Sequence, residues 1–487
     1  MVSVPFQPSS ASLTCALLAL VAVAAPAAAL GATKPGGGSR PTVTAVGALT
    51  QLRGPSGCLV DRSKPKRGCK PVRALRGPAP FLGSNAVAIA RDGRNVYVAS
   101  SRSDAIAIFE RNARSGKLTQ RSGAAGCIAL RGGNGCARAR GLNGPNSVAI
   151  SADGRSVYAT SLVSDAVTSF RRNRSTGALR QLRGTGGCVA NRMTPGCATG
   201  RALDGPDVVT VSPDGANVYV GAFVGDAIAV FDRDASSGAL AQPSDTTGCI
   251  VNAPVAGCTP GLALDSPEGM AISGDGDNVY VATAVSNAVG VFTRDATTGA
   301  LSQATDGGGC IVASPLAGCT TGTQLSGANA VAVSRDGDDV YVTSLRSNSV
   351  TSFTRTAATG QLTQKAGTSA CAIYVLAVGC SLVRALQAPE GIAVSPDGAS
   401  VYAAAFASGA IDVFNRNAST GGLMQKRTRH GCVIARAKPG CVRGRGLLGA
   451  SSIAVSPDGR FVYSAAFKSN AIAAFKRVAA ARPRGKG

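Results

Sequence analysis

Seven side chains that could hold a metal ion or activate water recur at a fixed spacing along the chain. They stand 61 residues apart, and most carry a carboxylate or amide oxygen: Asn85, Asn146, Asp207, Glu268, Asn329, Glu390 and Ser451. Calcium prefers several oxygen ligands of this kind, and the calcium site that we predict consists of Asn146, Asp207, Glu268, Asn329 and Glu390. The alternative is that these side chains only satisfy backbone groups where a loop enters a strand.

The cysteines form a second regular set. Cys15 lies in the apolar N-terminal run, and the other fourteen form seven local pairs: Cys58/Cys69, Cys127/Cys136, Cys188/Cys197, Cys249/Cys258, Cys310/Cys319, Cys371/Cys380 and Cys432/Cys441. An even number of cysteines in an exported chain indicates disulfide bonds. Zinc sites, the alternative, usually have a shorter spacing and further ligands. We therefore predict seven disulfide bonds.

Basic residues around the first and last cysteine pairs could bind anions. The chain has 50 lysine and arginine residues against 26 acidic ones, a net charge of +24, whereas residues 201–330 contain 3 basic and 13 acidic residues. The set that we name the basic cluster is Arg62, Lys64, Lys66, Arg67, Lys426, Arg427 and Arg429. Clustered like charges attract anions, so we predict that an extracellular polyanion binds there, such as an acidic cell-envelope polymer or an anionic membrane surface. The alternative is a solvated surface that only aids solubility.

Few residues in the sequence indicate other kinds of catalytic chemistry. The chain has one histidine, His430, which excludes sites built from several imidazoles. No serine, threonine or cysteine stands in a recognisable nucleophile motif. The glycine-rich stretch 306–309 is followed by neither a helix nor a lysine, so it does not indicate a phosphate-binding loop.

A repeat of 61 residues must position all of these side chains. Seven of the eight tyrosines share its register: Tyr97, Tyr158, Tyr219, Tyr280, Tyr341, Tyr402 and Tyr463. The first repeat predicts strands near residues 85–90, 95–100 and 105–110 and a fourth strand at 118–120, with a hairpin turn at Asp92 and Gly93. The strands are apolar on both faces, which is typical of sheets that are covered on both sides.

Seven such units predict an all-β fold, a seven-bladed β-propeller with four antiparallel strands in each blade. The last repeat ends after its third strand, and the missing fourth-strand motif occurs at residues 47–51, so we expect the N-terminal strand to close the last blade. First strands of a propeller meet at a central channel. The oxygen-bearing residues should therefore gather at one channel mouth, and the seven disulfide loops should lie on one face.

The repeat resembles that of the lactonase-like propellers built on Tyr-Val-Thr-Asn motifs. The resemblance rests on residues 212–220 (SPDGANVYV), on 341–344 (YVTS) and on the turn at 298–301 (TGAL), and it covers about residues 42–476. It implies a seven-bladed fold, and it also implies lactonase activity, in some members with a catalytic calcium at the channel. The matching motifs are structural, and no catalytic signature can be carried over from them.

The ends of the chain differ from the repeats. Residues 1–29 resemble a signal peptide, 30–41 a flexible linker and 477–487 a basic tail, which leaves 42–476 for the propeller. An uncleaved membrane anchor is the alternative for the first segment. No second apolar run is long enough to cross a membrane. We therefore expect a secreted protein, extracellular or associated with the cell envelope, without a transmembrane segment in the mature chain.

Two functions are consistent with these observations. The first, which we favour from sequence, is a non-catalytic scaffold that binds an anionic partner through the disulfide-loop face; nucleic acid is not expected, because the basic cluster has almost no aromatic residues for base stacking. The second is a lactone hydrolase with a metal or water site at the channel mouth. The similarity of the seven repeats favours the scaffold, because an active site normally requires one blade to differ from the rest.

Overall fold

The computed structural model describes residues 46–78 and 85–480, which form seven β-sheets of six strands each. Consecutive repeats form consecutive sheets, and this confirms the seven-bladed β-propeller. The predicted signal peptide and linker lie outside the described residues, as does most of the predicted tail.

Three antiparallel strands form the inner part of every blade. The first strands are Val87–Ile89, Pro145–Ile150, Pro206–Val211, Pro267–Ile272, Ala328–Val333, Pro389–Val394 and Ala450–Val455. The second strands are Asn95–Ser100, Ser156–Ser161, Asn217–Ala222, Asn278–Thr283, Asp339–Ser344, Ser400–Ala405 and Phe461–Ala466. The third strands are Ala105–Arg111, Ala166–Arg172, Ala227–Arg233, Ala288–Arg294, Ser349–Arg355, Ala410–Arg416 and Ala471–Arg477. Every residue of the second strands is buried, because neighbouring blades cover both faces of each sheet.

The predicted fourth strand is divided into two short strands that pair with opposite ends of the third strand. The first part comprises Leu49–Gln51, Leu118–Gln120, Leu179–Gln181, Leu240–Ala241, Leu301–Gln303, Leu362–Gln364 and Leu423–Gln425. The second part, the cysteine strand, comprises Cys58–Asp61, Cys127–Ala129, Cys188–Ala190, Cys249–Val251, Gly307–Val312, Cys371–Ile373 and Cys432–Ile434. In five blades a left-handed glycine accompanies the division: Gly123, for example, has φ +57°, a conformation that no regular strand contains.

Short 3₁₀ helices and a sixth strand complete the outer part of the blades. The 3₁₀ helices are Gly54–Gly57, Ser101–Ser103, Gly123–Gly126, Gly184–Gly187, Thr246–Gly248, Gly367–Ser369 and Arg429–Gly431. The sixth strand runs parallel to the cysteine strand and comprises Lys70–Val72, Ala137–Arg138, Ala198–Thr199, Thr259–Pro260, Cys319–Thr321, Cys380–Leu382 and Val442–Arg443.

The two ends of the chain build the last blade together. Leu49–Gln51 pairs antiparallel with the third strand Ala471–Arg477, so that Leu49 stands opposite Arg477. Cys58–Asp61 pairs with the same strand. The predicted closure by the N-terminal strand is therefore confirmed, and Arg477, which we had assigned to the tail, is the last residue of this third strand.

A buried hydrogen-bonded unit, which we call the clasp, joins each pair of neighbouring blades. In one clasp, Arg172 at the end of a third strand donates to Asp92 at 2.8 Å and to the Tyr97 hydroxyl at 2.9 Å, both in the preceding blade, and Tyr97 donates to the Gly177 carbonyl. The seven ion pairs, with N···O distances of 2.6 to 2.8 Å, are Arg111–Asp458, Arg172–Asp92, Arg233–Asp153, Arg294–Asp214, Arg355–Asp275, Arg416–Asp336 and Arg477–Asp397. The clasps therefore fix each blade to the next and close the ring between the last and first blades.

The seven predicted disulfide bonds are all confirmed, with Cα–Cα distances of 4.7 to 4.9 Å. They join Cys58 to Cys69, Cys127 to Cys136, Cys188 to Cys197, Cys249 to Cys258, Cys310 to Cys319, Cys371 to Cys380 and Cys432 to Cys441.

The two cysteines of a pair differ in burial. The first cysteine of every pair is buried in the cysteine strand. The second cysteine is partly exposed in six pairs, at Cys69, Cys136, Cys197, Cys258, Cys319 and Cys441, and buried only at Cys380. Each bond therefore anchors a surface loop to a buried strand. None of these fourteen cysteines is free to act as a nucleophile or as a metal ligand.

The disulfide loops lie together on one face of the ring, as predicted. Each cysteine strand pairs with the beginning of a third strand; Cys188, for example, stands opposite Thr168. All seven loops consequently lie on the face where second and third strands connect. We call this the disulfide face and the opposite face, which carries the Asp-Gly turns, the clasp face.

Candidate active site in the central channel

Irregular strand pairing positions the predicted ring of oxygen-bearing residues. First strands of neighbouring blades contact one another around the centre of the ring. In the third blade Pro206 pairs with Ala222 and Val208 with Gly221, which leaves Asp207 as the extra residue of a β-bulge. The same shift occurs at Glu268 and Glu390. A bulge takes a side chain out of the regular alternation of a strand, so the fold presents these three carboxyl groups separately from the inter-blade core.

Both channel glutamates stand in a Pro-Glu-Gly sequence, and the glycine has a steric reason. A Cβ atom on Gly269 would lie 2.6 Å from the carbonyl oxygen of Asn329 in the next blade, and one on Gly391 would lie 2.6 Å from that of Ser451. Only glycine allows this close approach of neighbouring first strands. The motif therefore combines a bulged glutamate with tight packing around the channel.

Asp207, Glu268 and Glu390, which we call the channel triad, are buried carboxyl groups with few partners. Their exposed fractions are 0%, 4% and 0%. Asn146 Nδ2 donates to Asp207 Oδ1 at 2.6 Å, whereas Asp207 Oδ2 and both Glu390 oxygens have no hydrogen-bond partner among the described residues. The described part of the chain also contains no ion pair to the triad. Buried polar atoms normally have a partner, so these unpaired oxygens make the triad a candidate functional site.

Burial strongly favours the neutral form of the triad. It raises the pKa of Asp207 to about 8, against the lowering effect of the hydrogen bond from Asn146. Burial also raises the pKa of Glu268 well above its usual value, and the charge of Asp207 adds to this rise. Burial, Glu268 and Asp207 raise the pKa of Glu390 in the same way. Burial of all three groups and the repulsion that Glu268 and Glu390 experience from neighbouring carboxylates therefore act in the same direction and favour the protonated forms.

Two cationic side chains act on the triad from loops of the disulfide face. The positive charge of Arg346 opposes the rise in the pKa of Glu268, and that of Lys468 opposes the rise in the pKa of Glu390. Arg346 donates to the Ala284 carbonyl of the preceding blade, and the Lys468 ammonium lies 4.5 Å from the centre of the Phe406 ring. Neither residue is predictable from the repeat, because their position does not keep its residue type from one repeat to the next.

The remaining members of the predicted ring differ from the triad. Asn329 accepts a hydrogen bond from Thr343 at 2.8 Å and donates to the Pro389 carbonyl at 3.1 Å. These contacts agree with the alternative interpretation for this position, in which the side chain satisfies other polar groups. Asn85 is exposed. The ring therefore contains different kinds of position: Asp207 and Glu390 have unpaired oxygens, Asn329 is already engaged and Asn85 reaches solvent.

Oxygen donors suit calcium, but the described residues contain no group of three or more histidine, cysteine, aspartate or glutamate side chains arranged to hold a metal ion. The amide nitrogens of Asn146 and Asn329 donate hydrogen bonds within the protein. The calcium site predicted from the sequence remains a prediction.

The structure corrects one residue of the basic cluster. Arg62, Lys64, Lys66, Arg67, Arg427 and Arg429 are exposed. Lys426 is buried, with 4% of its surface exposed, and its ammonium donates to the Asn415 side chain. Burial and repulsion by Arg477 lower the pKa of Lys426. Lys426 therefore does not belong to the anion-binding surface; its neighbour in sequence, Arg427, does reach solvent.

The first and last cysteine loops lie next to each other, as the ring closure requires. Arg445, which follows the last cysteine pair, donates through its backbone amide to the Gln51 side chain at 2.9 Å and through its guanidinium to the Gly54 carbonyl at 2.8 Å. The six exposed members of the basic cluster thus belong to two adjacent blades. Whether they bind an anion remains a prediction.

Sequence comparison identifies the family. A model of the lactonase family, described as a seven-bladed β-propeller, matches residues 193–309 and 310–444, which together are more than half of the chain. The chain belongs to the lactonase family of seven-bladed β-propellers. No curated protein is significantly similar in sequence to it.

Solved structures show the same fold at low sequence identity. The periplasmic gluconolactonase of Pseudomonas aeruginosa is 18% identical, with a TM-score of 0.49, over 78% of this chain and 93% of its own. Hydrazine synthase of Kuenenia stuttgartiensis is 16% identical, with a TM-score of 0.51, over 83% of this chain and 98% of its own. At these identities the similarity concerns the fold alone.

The disulfide bonds are compatible with a secreted or periplasmic protein of the lactonase family. No helix within residues 46–78 or 85–480 has the length and apolar character needed to cross a membrane.

Proposed function

We propose that this protein is a secreted hydrolase that opens a lactone at the mouth of its central channel. The proposal reverses the preference drawn from the sequence. The observation that carries it is the channel triad, three buried carboxyl groups in three of the seven blades; among the described residues, oxygens of Asp207 and Glu390 have no hydrogen-bond partner. Membership of the lactonase family supports the same reaction.

The triad has the properties of a general acid–base pair. An ionised carboxylate of the triad takes a proton from water as the water oxygen attacks the lactone carbonyl carbon. The ring C–O bond then breaks, and a protonated carboxyl group of the triad gives its proton to the leaving alkoxide. One water molecule is consumed and one hydroxy acid is formed. Such groups work best when their pKa lies near the working pH, and burial shifts the three pKa values in that direction.

In the proposed reaction, cations on the disulfide face stabilise the negative charge that develops on the substrate. Negative charge develops on the carbonyl oxygen during the attack of water, and a nearby cation stabilises it most in a site from which water is excluded. Arg346 and Lys468 already act electrostatically on Glu268 and Glu390. We assign the carboxyl groups to proton transfer and these two cations to stabilisation of the oxyanion.

The chain offers a matched control for testing this assignment, because it contains three glutamates and the third, Glu110, is an exposed partner of Arg121. Hydrolysis of a panel of simple lactones should fall by about 100-fold or more in Glu268→Gln and Glu390→Gln, since loss of general acid–base catalysis has effects of this size. The rate of hydrolysis by Glu110→Gln should stay within about 2-fold of wild type, because Glu110 does not belong to the triad and loses no acid–base role. Absence of turnover in the wild type, or full activity in both channel variants, would refute the proposal.

Calcium would supply an electrophile or activate water if it bound at the triad. No step above depends on it. The predicted calcium site is tested by thermal unfolding with calcium and with a chelator, because an ion that binds only the folded state must raise its stability. Equal melting temperatures with calcium and with the chelator would show that the folded protein does not bind calcium.

Binding of an anionic partner is a second candidate function, favoured by the exposed basic cluster. Retention on an anionic matrix should weaken steeply with salt if surface charge drives it. A variant with Lys64, Lys66, Arg67, Arg427 and Arg429 changed to serine should elute at lower salt than wild type. Equal retention of the two proteins would exclude the cluster as a binding surface.

A further inference from the structure

A cavity of about 240 Å³ lies on the disulfide face, at the seam between the last and first blades, and we call it the seam pocket. Four arginines line it: Arg62 from the disulfide loop of the last blade, Arg73 and Arg76 from the segment that leads into the first blade, and Arg102 from the loop between the second and third strands of the first blade. The seam pocket therefore collects cations from three separate segments.

Three of these arginines have side-chain contacts that hold them in place without neutralising their charge. Arg73 donates to the carbonyl oxygens of Asn134, Arg121 and Gly123 at 2.7 to 3.2 Å, and Arg62 donates to the Asn134 side chain at 2.9 Å. The Arg102 guanidinium lies 4.3 Å from the centre of the Phe467 ring.

No ion pair to any of the four arginines occurs within residues 46–78 and 85–480. The clasp arginines differ in this respect, because every one of them pairs with an aspartate.

The one carboxylate in the lining is already engaged. Asp61 Oδ1 accepts from the Ser63 amide and hydroxyl, and its Oδ2 accepts from the Leu75 amide at 2.9 Å. Asp61 thus fixes the loop that carries Arg62 to the segment that carries Arg73 and Arg76. Four guanidinium groups against one carboxylate leave a large positive excess in the pocket.

The other seams do not repeat this arrangement. The backbone amide of Arg76 donates to a serine hydroxyl. At the other seams the equivalent residue makes the same hydrogen bond or stands in the same register of the repeat, and these residues are Asn143, Asp204, Asp265, Ser326, Gln387 and Leu448. The position of Arg102 is occupied by Val163, Val224, Val285, Arg346, Ala407 and Lys468. Arginine at both positions occurs only where the last blade meets the first.

We propose that the seam pocket binds a tetrahedral oxyanion with two negative charges, a phosphate or sulfate group. Guanidinium groups match the oxygens of such anions with paired hydrogen bonds. Several unpaired guanidinium groups around one cavity favour a dianion over a single carboxylate, because the dianion compensates more of the positive charge. This site is independent of the proposed hydrolase activity and uses none of the channel triad.

Calorimetric titration of the full mature chain with inorganic phosphate, sulfate and acetate at constant ionic strength tests the proposal. We expect one saturable site for phosphate or sulfate and at least about 10-fold weaker binding of acetate. Arg76→Gln and Arg102→Gln should each weaken the site by about 5-fold or more, and the double variant should abolish it. Both side chains are exposed, so the variants should fold, which their melting temperatures will verify.

The matched control is Arg192→Gln, because Arg192 is exposed and occupies in the second blade the loop position that Arg62 occupies in the last. It should leave the affinity for the oxyanion unchanged within about 2-fold. An equal loss in this control, acetate binding as tight as phosphate binding, or no saturable site in the wild type would overturn the proposal.

A polymeric probe distinguishes between two sources of the oxyanion, a polymer and a small compound. If a polymer that carries phosphate monoester groups binds each chain more tightly than inorganic phosphate, and the gain is lost in the Arg76→Gln and Arg102→Gln double variant, the pocket recognises groups on a polymer. If the affinity per chain is the same, the pocket recognises a small phosphate or sulfate compound. Both results support the seam pocket.

Discussion

The clasps and the channel triad use carboxyl groups in opposite ways. Seven clasp aspartates each meet a buried arginine at 2.6 to 2.8 Å, whereas the channel triad lacks any ion pair within the described chain. Burial opposes ionisation of Asp92, but hydrogen bonds and charge from Arg172, together with the Arg94 amide, hold its pKa below the usual value. The pKa of Asp207 instead rises to about 8.

Residues that recur in all seven repeats differ in the same way from residues that change between repeats. The clasp recurs in every blade, since any break would open the ring. Channel residues and loops of the disulfide face change from blade to blade: carboxylates stand in three blades of the channel, and four unpaired arginines line one seam. We therefore infer that the repeated residues serve stability, and we place the proposed functional sites at residues that depart from the repeat.

Breaking a clasp should have the largest effect on stability. In Arg172→Ala a side chain with 1% exposure is lost and Asp92, with 27% exposure, loses its partner. Removal of one member of a buried pair costs about 3–5 kcal/mol, and we expect about 3 kcal/mol because Asp92 keeps access to water. Chemical denaturation measures this loss. The control on the disulfide face, Arg346→Ala, should cost less than about 0.5 kcal/mol; equal losses would contradict the division between the two regions.

Removal of one disulfide should have a smaller effect. Replacing both Cys188 and Cys197 by alanine opens a loop with a sequence separation of 9, for which the chain-entropy model gives about 2–3 kcal/mol. Lactone hydrolysis should be unchanged, because this loop contributes no residue to the triad. The measurements are a denaturation curve and a rate at one temperature. A variant that is fully stable but inactive would show that the disulfide positions the active site.

The buried triad should make stability fall as pH rises. Asp207 binds its proton more tightly in the folded state, so between about pH 4 and its folded pKa of about 8 the folded state holds more protons, and raising the pH favours unfolding. Asp207→Asn should therefore gain about 1–2 kcal/mol over wild type already at pH 5, the gain should grow as the pH rises to 8, and it should disappear below about pH 4.

A separate buried carboxyl group provides a control for the pH effect. Burial raises the pKa of Asp412, in the third strand of the sixth blade, to about 7. Asp412→Asn should reduce the fall in stability over the same pH range without affecting the rate of hydrolysis. Clasp aspartates act with the opposite sign, since their lowered pKa values give stability that is lost only when the pH falls below about 4. A wild type whose stability rises between pH 5 and 8 would contradict the assignment of neutral buried carboxyl groups.

The change in pH dependence on loss of one channel cation should be the smallest of these effects, and it should accompany a lower rate because we assign Arg346 to stabilisation of the oxyanion. Without the positive charge of Arg346, the pKa of Glu268 should rise further, and the acid limb of the pH–rate profile should shift upward by less than about one pH unit in Arg346→Gln. Arg192→Gln should leave the profile in place. A shift of the same size in both variants would indicate a general effect of net charge.

Sequence spacing was sufficient to predict the ring of blades, the closure of the last blade and the disulfide pairs, because turns, buried tyrosines and cysteines each have one dominant physical use. It also placed Asp207, Glu268 and Glu390 at the channel. It missed the clasps, although an arginine ends every third strand, since an arginine at a strand end is usually solvated. It misplaced Lys426 because charge alone does not show which way a side chain faces. Bulges and seam contacts depend on the neighbouring blade, which no single repeat contains.

The most direct measurement of the central claim is kcat/KM for lactone hydrolysis as a function of pH, after subtraction of the uncatalysed rate. We expect a profile governed by carboxyl groups with pKa values well above their usual range, one of them near the value of about 8 for Asp207, and loss of that profile in Glu268→Gln and Glu390→Gln. A profile with a single inflection near pH 4, or one that both variants retain, would contradict the account.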